Sequence, residues 1–183
     1  YAARRTRDRG LDFRTRTHRW YPQPLRQGFP RLLLVTPFAI DPPSHGGARR
    51  VVELARRLAS EYDVILLSDE CSGYGNDADG WSKGLSSVHL VEGRGDQPGQ
   101  GVQDLETRLR RHVHERLRDE MRRLMAVYKP DVVQVEFMEL AGLVALRQGD
   151  ARWCLDLHDV YLDGGADDAL QRKSQGQVVP DSF

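Results

Sequence analysis

Hydrophobic positions along this chain fall into two alternating patterns. Short unbroken apolar runs, the signature of strands covered on both faces, occur at Leu32–Val35, Asp63–Ser68, Asp131–Val135 and Arg152–Leu157, with a weakly alternating run at Ser87–Val91. Between them lie stretches whose apolar residues recur by threes and fours. These predict helices at about residues 47 to 60, 102 to 128 and 138 to 147; the longest buries a stripe that includes Leu109, Val113, Leu117, Met121 and Leu124. Strand and helix alternation predicts an α/β domain: a five-stranded parallel sheet in the order 3-2-1-4-5, right-handed crossovers, helices on both faces, and ligands at the carboxyl ends of the strands.

Three segments fall at those predicted ends: 37 to 47 after the first strand, 136 to 139 after the fourth, and His158-Asp159 after the fifth. In the order 3-2-1-4-5 a single crevice collects all three. Gly46 and Gly47 allow close approach of a ligand to the amino end of the first helix, where unpaired N–H groups attract anions. Arg49 and Arg50 put two positive charges in that first turn, the reverse of what an isolated helix prefers, and an anion there would turn the penalty into attraction. His45 draws interest from its position beside the glycines. A tight helix entry is also an ordinary structural use of glycine, and neither Gly-x-Gly-x-x-Gly nor Gly-Lys-Ser/Thr is present, which disfavours a dinucleotide dehydrogenase and a P-loop phosphotransferase.

His158 beside Asp159 has three readings: an acid/base or sugar-contacting histidine, a metal ligand with Asp156, or a residue that merely caps a strand end. The sequence places no third ligand, so no metal is expected. Glu136 and Glu139 sit where a short helix begins, a position that favours acids whatever their function. His112 and His114, two apart on the long predicted helix, are expected to face different directions, so that a shared metal is not expected.

Charge is uneven although the total is zero: residues 1 to 31 carry nine Arg against Asp8 and Asp12. This start lacks periodicity, so residues 1 to 30 are expected to be an arginine-rich linker or the tail of an upstream domain. Arginine-mediated nucleic-acid binding is the third-ranked function, and no nucleic-acid partner is expected. The long predicted helix is also rich in Arg, but interleaved Glu and Asp make it a solvated, ion-paired face. Two distant cysteines, Cys71 and Cys154, suit a reducing cytoplasm. No apolar run reaches the roughly 18 residues of a membrane span, so any membrane contact is expected to be peripheral, at the inner face. Residues 161 to 183 read as a polar tail. The start at Tyr1 and the end soon after the fifth strand are expected of a piece of a longer polypeptide.

Three segments together resemble a known family: Val35-Thr36-Pro37-Phe38 running on to Asp41-Pro42-Pro43-Ser44-His45-Gly46-Gly47-Ala48-Arg49-Arg50, then Pro130-Asp131-Val132-Val133-Gln134-Val135-Glu136-Phe137, then Leu155-Asp156-Leu157-His158-Asp159-Val160. Over residues 31 to 160 they are similar to the amino-terminal, Rossmann-like domain of a GT-B-fold, family 4 glycosyltransferase. The resemblance implies retaining transfer of a sugar from a nucleotide-sugar donor to a saccharide or lipid-linked acceptor, in cell-surface polysaccharide or glycolipid synthesis. The nucleotide sugar is a co-substrate, and no further cofactor is implied. By the resemblance His158 would be the catalytic residue, contacting the transferred sugar, and Gly46 and Gly47 would lie near the donor's diphosphate; Arg49, Arg50, His45, Glu136 and Asp159 are added to that set from their predicted positions, to serve donor phosphate or acceptor. The carboxy-terminal donor-binding domain of such an enzyme is the missing partner, and the chain alone is expected to be inactive. The alternative from another class is a non-catalytic ligand-binding module that keeps the half-cleft.

Overall fold

The computed structural model describes residues 10–12, 17–43, 45–69, 82–92 and 112–157. Seven strands, β1 (Gly10–Asp12), β2 (Thr17–Trp20), β3 (Arg31–Thr36), β4 (Asp63–Ser68), β5 (Ser87–Val91), β6 (Val132–Glu136) and β7 (Arg152–Asp156), form one sheet. Helices α1 (Gly46–Leu58) and α2 (Glu115–Tyr128) and a 3₁₀ segment, Met138–Leu146, complete the described elements. The sheet order is β1-β2-β5-β4-β3-β6-β7.

This is a mixed sheet of seven strands, so its order differs from the expected five-stranded parallel one by two added strands, while the five expected strands keep the order 3-2-1-4-5. From β5 across to β7 the strands run parallel, and they are the five apolar runs of the sequence; β2 then pairs antiparallel with β5, and β1 with β2. The expectation that residues 1 to 30 are a linker or foreign tail is corrected for this part of the chain. Trp20 is buried in the main core and its indole N–H donates to Ser82 Oγ at 3.2 Å. The pattern was hidden because β2 reads Thr-His-Arg-Trp, whose two middle residues are polar.

Alternate residues of the central strands feed two cores. Leu32, Leu34, Val64 and Leu66 meet Val51, Val52 and Ala55 of α1; Leu33, Val35, Ile65 and Leu67 meet Leu117, Met121 and Leu124 of α2 and Leu140 and Leu143 of the 3₁₀ segment. Each such side chain withdrawn from water contributes roughly 1.5–3 kcal/mol. Beyond β6 the cover on the α1 side gives out: Arg152 and Cys154 of β7 are exposed.

The long predicted helix is broken. His114 takes extended backbone, φ −82° and ψ 166°, and its Nδ1 accepts the N–H of Leu117 at 3.3 Å, so α2 starts afresh at Glu115. Residues 101 to 111 of the prediction lie outside the described residues. The 161 to 183 tail lies outside them too. No described helix is long and apolar enough to cross a membrane.

Arginines of the amino-terminal stretch are engaged internally. Arg19 grips the fully buried Glu120 of α2 with Nε to Oε1 at 3.1 Å and Nη2 to Oε2 at 2.7 Å, and Arg123 grips the same carboxylate at 2.9 and 2.7 Å. Arg26 closes on Asp63 through its backbone N–H and its Nε, each at 2.7 Å, and stacks over Phe29. Buried His89 lies 3.0 Å from Glu120 through Nδ1. Burial pushes the His89 imidazole below its ordinary value, against the pull of Glu120, so it is neutral at pH 7 and Nδ1–H donates to Glu120. The 3.3 Å approach of Arg123 Nη2 to that same nitrogen is then a packing contact. Burial alone would raise the Glu120 carboxyl, but hydrogen bonds from Arg123, His89 and Arg19 outweigh it and hold it well below the usual range.

The signs follow from these directions. Glu120, depressed in the fold, contributes stability above pH 4.5 that is lost as pH falls through its folded value; His89, also depressed, favours the fold above pH 6.5 and costs stability as the unfolded chain takes up a proton below it. Glu120→Gln is therefore expected to cost about 3 kcal/mol in urea unfolding at pH 7, where it leaves two guanidinium groups uncompensated, with the deficit shrinking below pH 4.5. His89→Gln is expected to flatten the loss of stability between pH 7 and pH 5 by up to about 1.4 kcal/mol per pH unit. An unchanged slope would show that His89 is not neutral in the fold.

Candidate functional site

Sheet order reverses at β3, whose neighbours are β4 on one side and β6 on the other, so the carboxyl ends of β3 and β6 open onto a switch point. The β3–α1 loop and the residues after β6 meet there. The Phe38 ring stands edge-on to His45 at 4.4 Å between centroids and edge-on to Phe137 at 4.7 Å. Of the three expected segments, two are brought together; His158 and Asp159 lie outside the described residues.

Phe137 carries the strain of the site. Its φ of 71° and ψ of 148° belong to a region that glycine enters and other residues avoid, at a cost of order 1–3 kcal/mol. Neighbours fix it: its N–H donates to the Asp156 carbonyl at 2.9 Å, its carbonyl accepts from Leu140 at 3.2 Å, and its ring is buried in the α1-side core. The ring also explains one glycine. A Cβ on Gly47 would stand 2.6 Å from the Phe137 ring, whereas one on Gly46 would meet nothing within 4 Å. The pair therefore divides its work: Gly47 admits the phenylalanine and Gly46 leaves the helix entrance open.

His45 is the N-cap of α1, its Nδ1 accepting the N–H of Ala48 at 3.3 Å. That bond requires Nδ1 to be bare, so the neutral ring carries its proton on Nε2.

The two arginines of the first turn part company. Arg50 donates through Nη1 to Glu136 at 2.9 Å and through Nη2 to Asp156, side by side at the ends of β6 and β7. Glu136 is fully buried, ends β6 instead of starting a helix, and accepts from Gln134 Nε2 at 2.6 Å. Burial works against the Arg50 charge, but the hydrogen bonds and charges of Asp156 and Glu136 outweigh it and push its pKa above the ordinary value. Arg50 is thus engaged by two carboxylates of the strand ends. Arg49 is exposed and makes no ion pair among the described residues. The trio of Arg50, Glu136 and Asp156 carries one net negative charge, beside a helix start that is positive through Arg49 and its free N–H groups.

Sequence reasoning did not select Phe137 or Phe38, and it weighed Asp156 only as a metal ligand together with His158. Asp156 was within reach: it lies in register with Glu136 on a parallel strand. A positive φ at a phenylalanine leaves no signal in a single sequence.

At the opposite edge of the sheet a depression of about 640 Å³ is lined by Tyr62, Lys129, Asp131, Asp150 and Arg152 among others. It adjoins the amino-terminal ends of the strands and none of the residues above.

Gly47→Ala is expected to lower stability by about 1–3 kcal/mol through collision with the Phe137 ring, and Gly46→Ala to change it by less than about 1 kcal/mol. In a double-mutant cycle, Phe137→Leu should recover part of the Gly47→Ala loss. Additive losses would mean that the two residues do not press on each other.

No family model matches this chain, and no curated protein matches it. Among solved structures, sucrose-phosphate synthase from Thermosynechococcus elongatus is similar at 13% identity and a TM-score of 0.49, over 79% of this chain and 39% of that one. This chain therefore spans well under half the length of that protein.

Proposed function

We propose that this domain is the acceptor-side half of a GT-B, family 4 type glycosyltransferase, which transfers a sugar from a nucleotide-sugar donor to a saccharide or lipid-linked acceptor. The observation that carries the reading is the open amino end of α1 at the switch point: Gly46 faces free space and Arg49 is exposed and unpaired among the described residues. A diphosphate is the ligand such an end favours, since it accepts backbone N–H groups and a guanidinium together.

The charge next to it suits the other half of the reaction. When a sugar–diphosphate bond breaks, negative charge grows on the phosphate and positive character on the sugar carbon. Arg49 and the helix N–H groups stabilise the first, and the anionic surround of Glu136, Asp156 and Arg50 stabilises the second. By the resemblance of the sequence, His158 contacts the transferred sugar, while Asp159 and His45 are proposed to serve the donor phosphate or the acceptor. A second, donor-binding domain closes the cleft. In this reading the enzyme works on cell-surface polysaccharide or glycolipid at the inner face of the membrane.

Titration of the isotopically labelled chain with uridine diphosphate, followed by backbone amide NMR, tests the reading. Shifts are expected at Gly46, Gly47 and Ala48, and Arg49→Ala should weaken the interaction about 5- to 20-fold without altering the fold. Shifts confined to residues away from α1, or an unchanged affinity in Arg49→Ala, would sink it.

A further inference from the structure

A second group of titratable side chains sits on the other side of the sheet edge. Asp69 follows β4 directly, its N–H donating to the Thr36 carbonyl at 3.0 Å, and its carboxylate is almost completely buried. Two imidazoles converge on it: His114 Nε2 on Oδ1 at 2.5 Å and His112 Nδ1 on Oδ2 at 3.1 Å. The expectation that these two histidines face different directions is thus corrected, because the helix breaks between them. The break brings both rings to one acceptor.

Their protons can be assigned from the bonds. His114 Nδ1 already accepts from Leu117 N–H, so its proton is on Nε2, and it donates to Asp69. His114 is buried at both nitrogens and pins the start of α2 to the sheet. His112 is different: a quarter of its side chain is exposed. Its Nδ1–H donates to the remaining carboxylate oxygen, which leaves Nε2, on the far side of the ring, bare and basic. A buried carboxylate that fixes an imidazole in this tautomer and stabilises the imidazolium formed later is the arrangement of a general base.

We propose that Asp69 and His112 form a proton-accepting dyad for a hydroxyl-bearing ligand at the carboxyl edge of the sheet, with Asp69 as the positioning residue. In the step, the ligand O–H bond breaks, its proton joins the Nε2 lone pair, and the oxygen keeps the bonding electrons. As the proton moves, that oxygen bonds to the sugar carbon on the face from which the diphosphate departs, so that configuration is retained, and the electron pair of the broken bond leaves with the phosphate; the imidazolium returns the proton to water. The identification of the ligand as a saccharide hydroxyl rests on the proposed transferase reading. The dyad itself does not.

The isosteric variant Asp69→Asn separates orientation from structure. Its carbonyl oxygen must still serve the fixed donor His114 Nε2–H, so its NH₂ faces His112 Nδ1 and forces the His112 proton onto Nε2. Imidazole ¹H–¹⁵N spectra of the whole chain at pH 8 should show His112 protonated at Nδ1 in the native protein and at Nε2 in Asp69→Asn, with His114 unchanged. Carbethoxylation of His112 by diethyl pyrocarbonate, mapped by mass spectrometry, should fall by about tenfold or more in the variant. Methyl glucoside, galactoside and mannoside are the ligand probes, and at least one should shift His112 Nε2 in the native chain. Native His112 protonated at Nε2 would overturn the dyad even if Asp69→Asn failed to fold, as would equal carbethoxylation rates in two folded proteins. Glycosides that leave His112 untouched would overturn the saccharide assignment, whereas failure of uridine diphosphate at α1 counts against the transferase reading alone.

Discussion

A parallel strand with apolar residues on both faces cannot lie at a surface, and β3 imposes that constraint on everything around it. Leu32 to Val35 are all buried, alternately toward α1 and toward α2, and both flanks of the strand are hydrogen-bonded in parallel register. The chain must therefore leave β3 at its carboxyl end, cross one face as a helix, and later return on the other. Both crossings put loops at the same edge. The crevice at the end of β3 is a by-product of burying β3.

What makes that crevice more than a gap is the way charge and strain are distributed around it. Arg50 is drawn to the ends of β6 and β7, so of the two arginines in the first turn only Arg49 is without a carboxylate partner among the described residues. The same contacts link α1 to two strands that follow it by some eighty and a hundred residues. Phe137 locks the arrangement. Its unfavourable backbone is held by the bond to Asp156 and by a ring pressed against the one glycine that can receive it. Strain of this kind persists where surrounding structure over-determines it, and here it sits at the switch point.

Much of the fold was legible in the apolar runs, because a doubly buried strand needs hydrophobic residues at every position and so betrays itself. Strand β4 is the clearest case, with Asp63 to Ser68 buried throughout. Strand β2 failed the same test since its inner residues are His18 and Arg19, which bury their stems and turn their polar ends to Glu92 and Glu120. The helix period ran through His114 without a pause, because capping is decided by one backbone angle and one side-chain bond, not by hydrophobicity. At the site, the glycines and the first-turn arginines were legible as types. Which arginine would be neutralised was not, since that depends on the register of β6 against β7.

The place of β2 between β1 and β5 also bears on how the chain is made. On the side of the main sheet it pairs with β5, where Thr17 lies against Val91, and the acid that neutralises Arg19 lies 101 residues further along. During synthesis β2 therefore emerges long before both, and its β5-facing side must remain unpaired while β3, α1 and β4 assemble with near neighbours in sequence. The β1–β2 pair joins the main sheet only once β5 has been made.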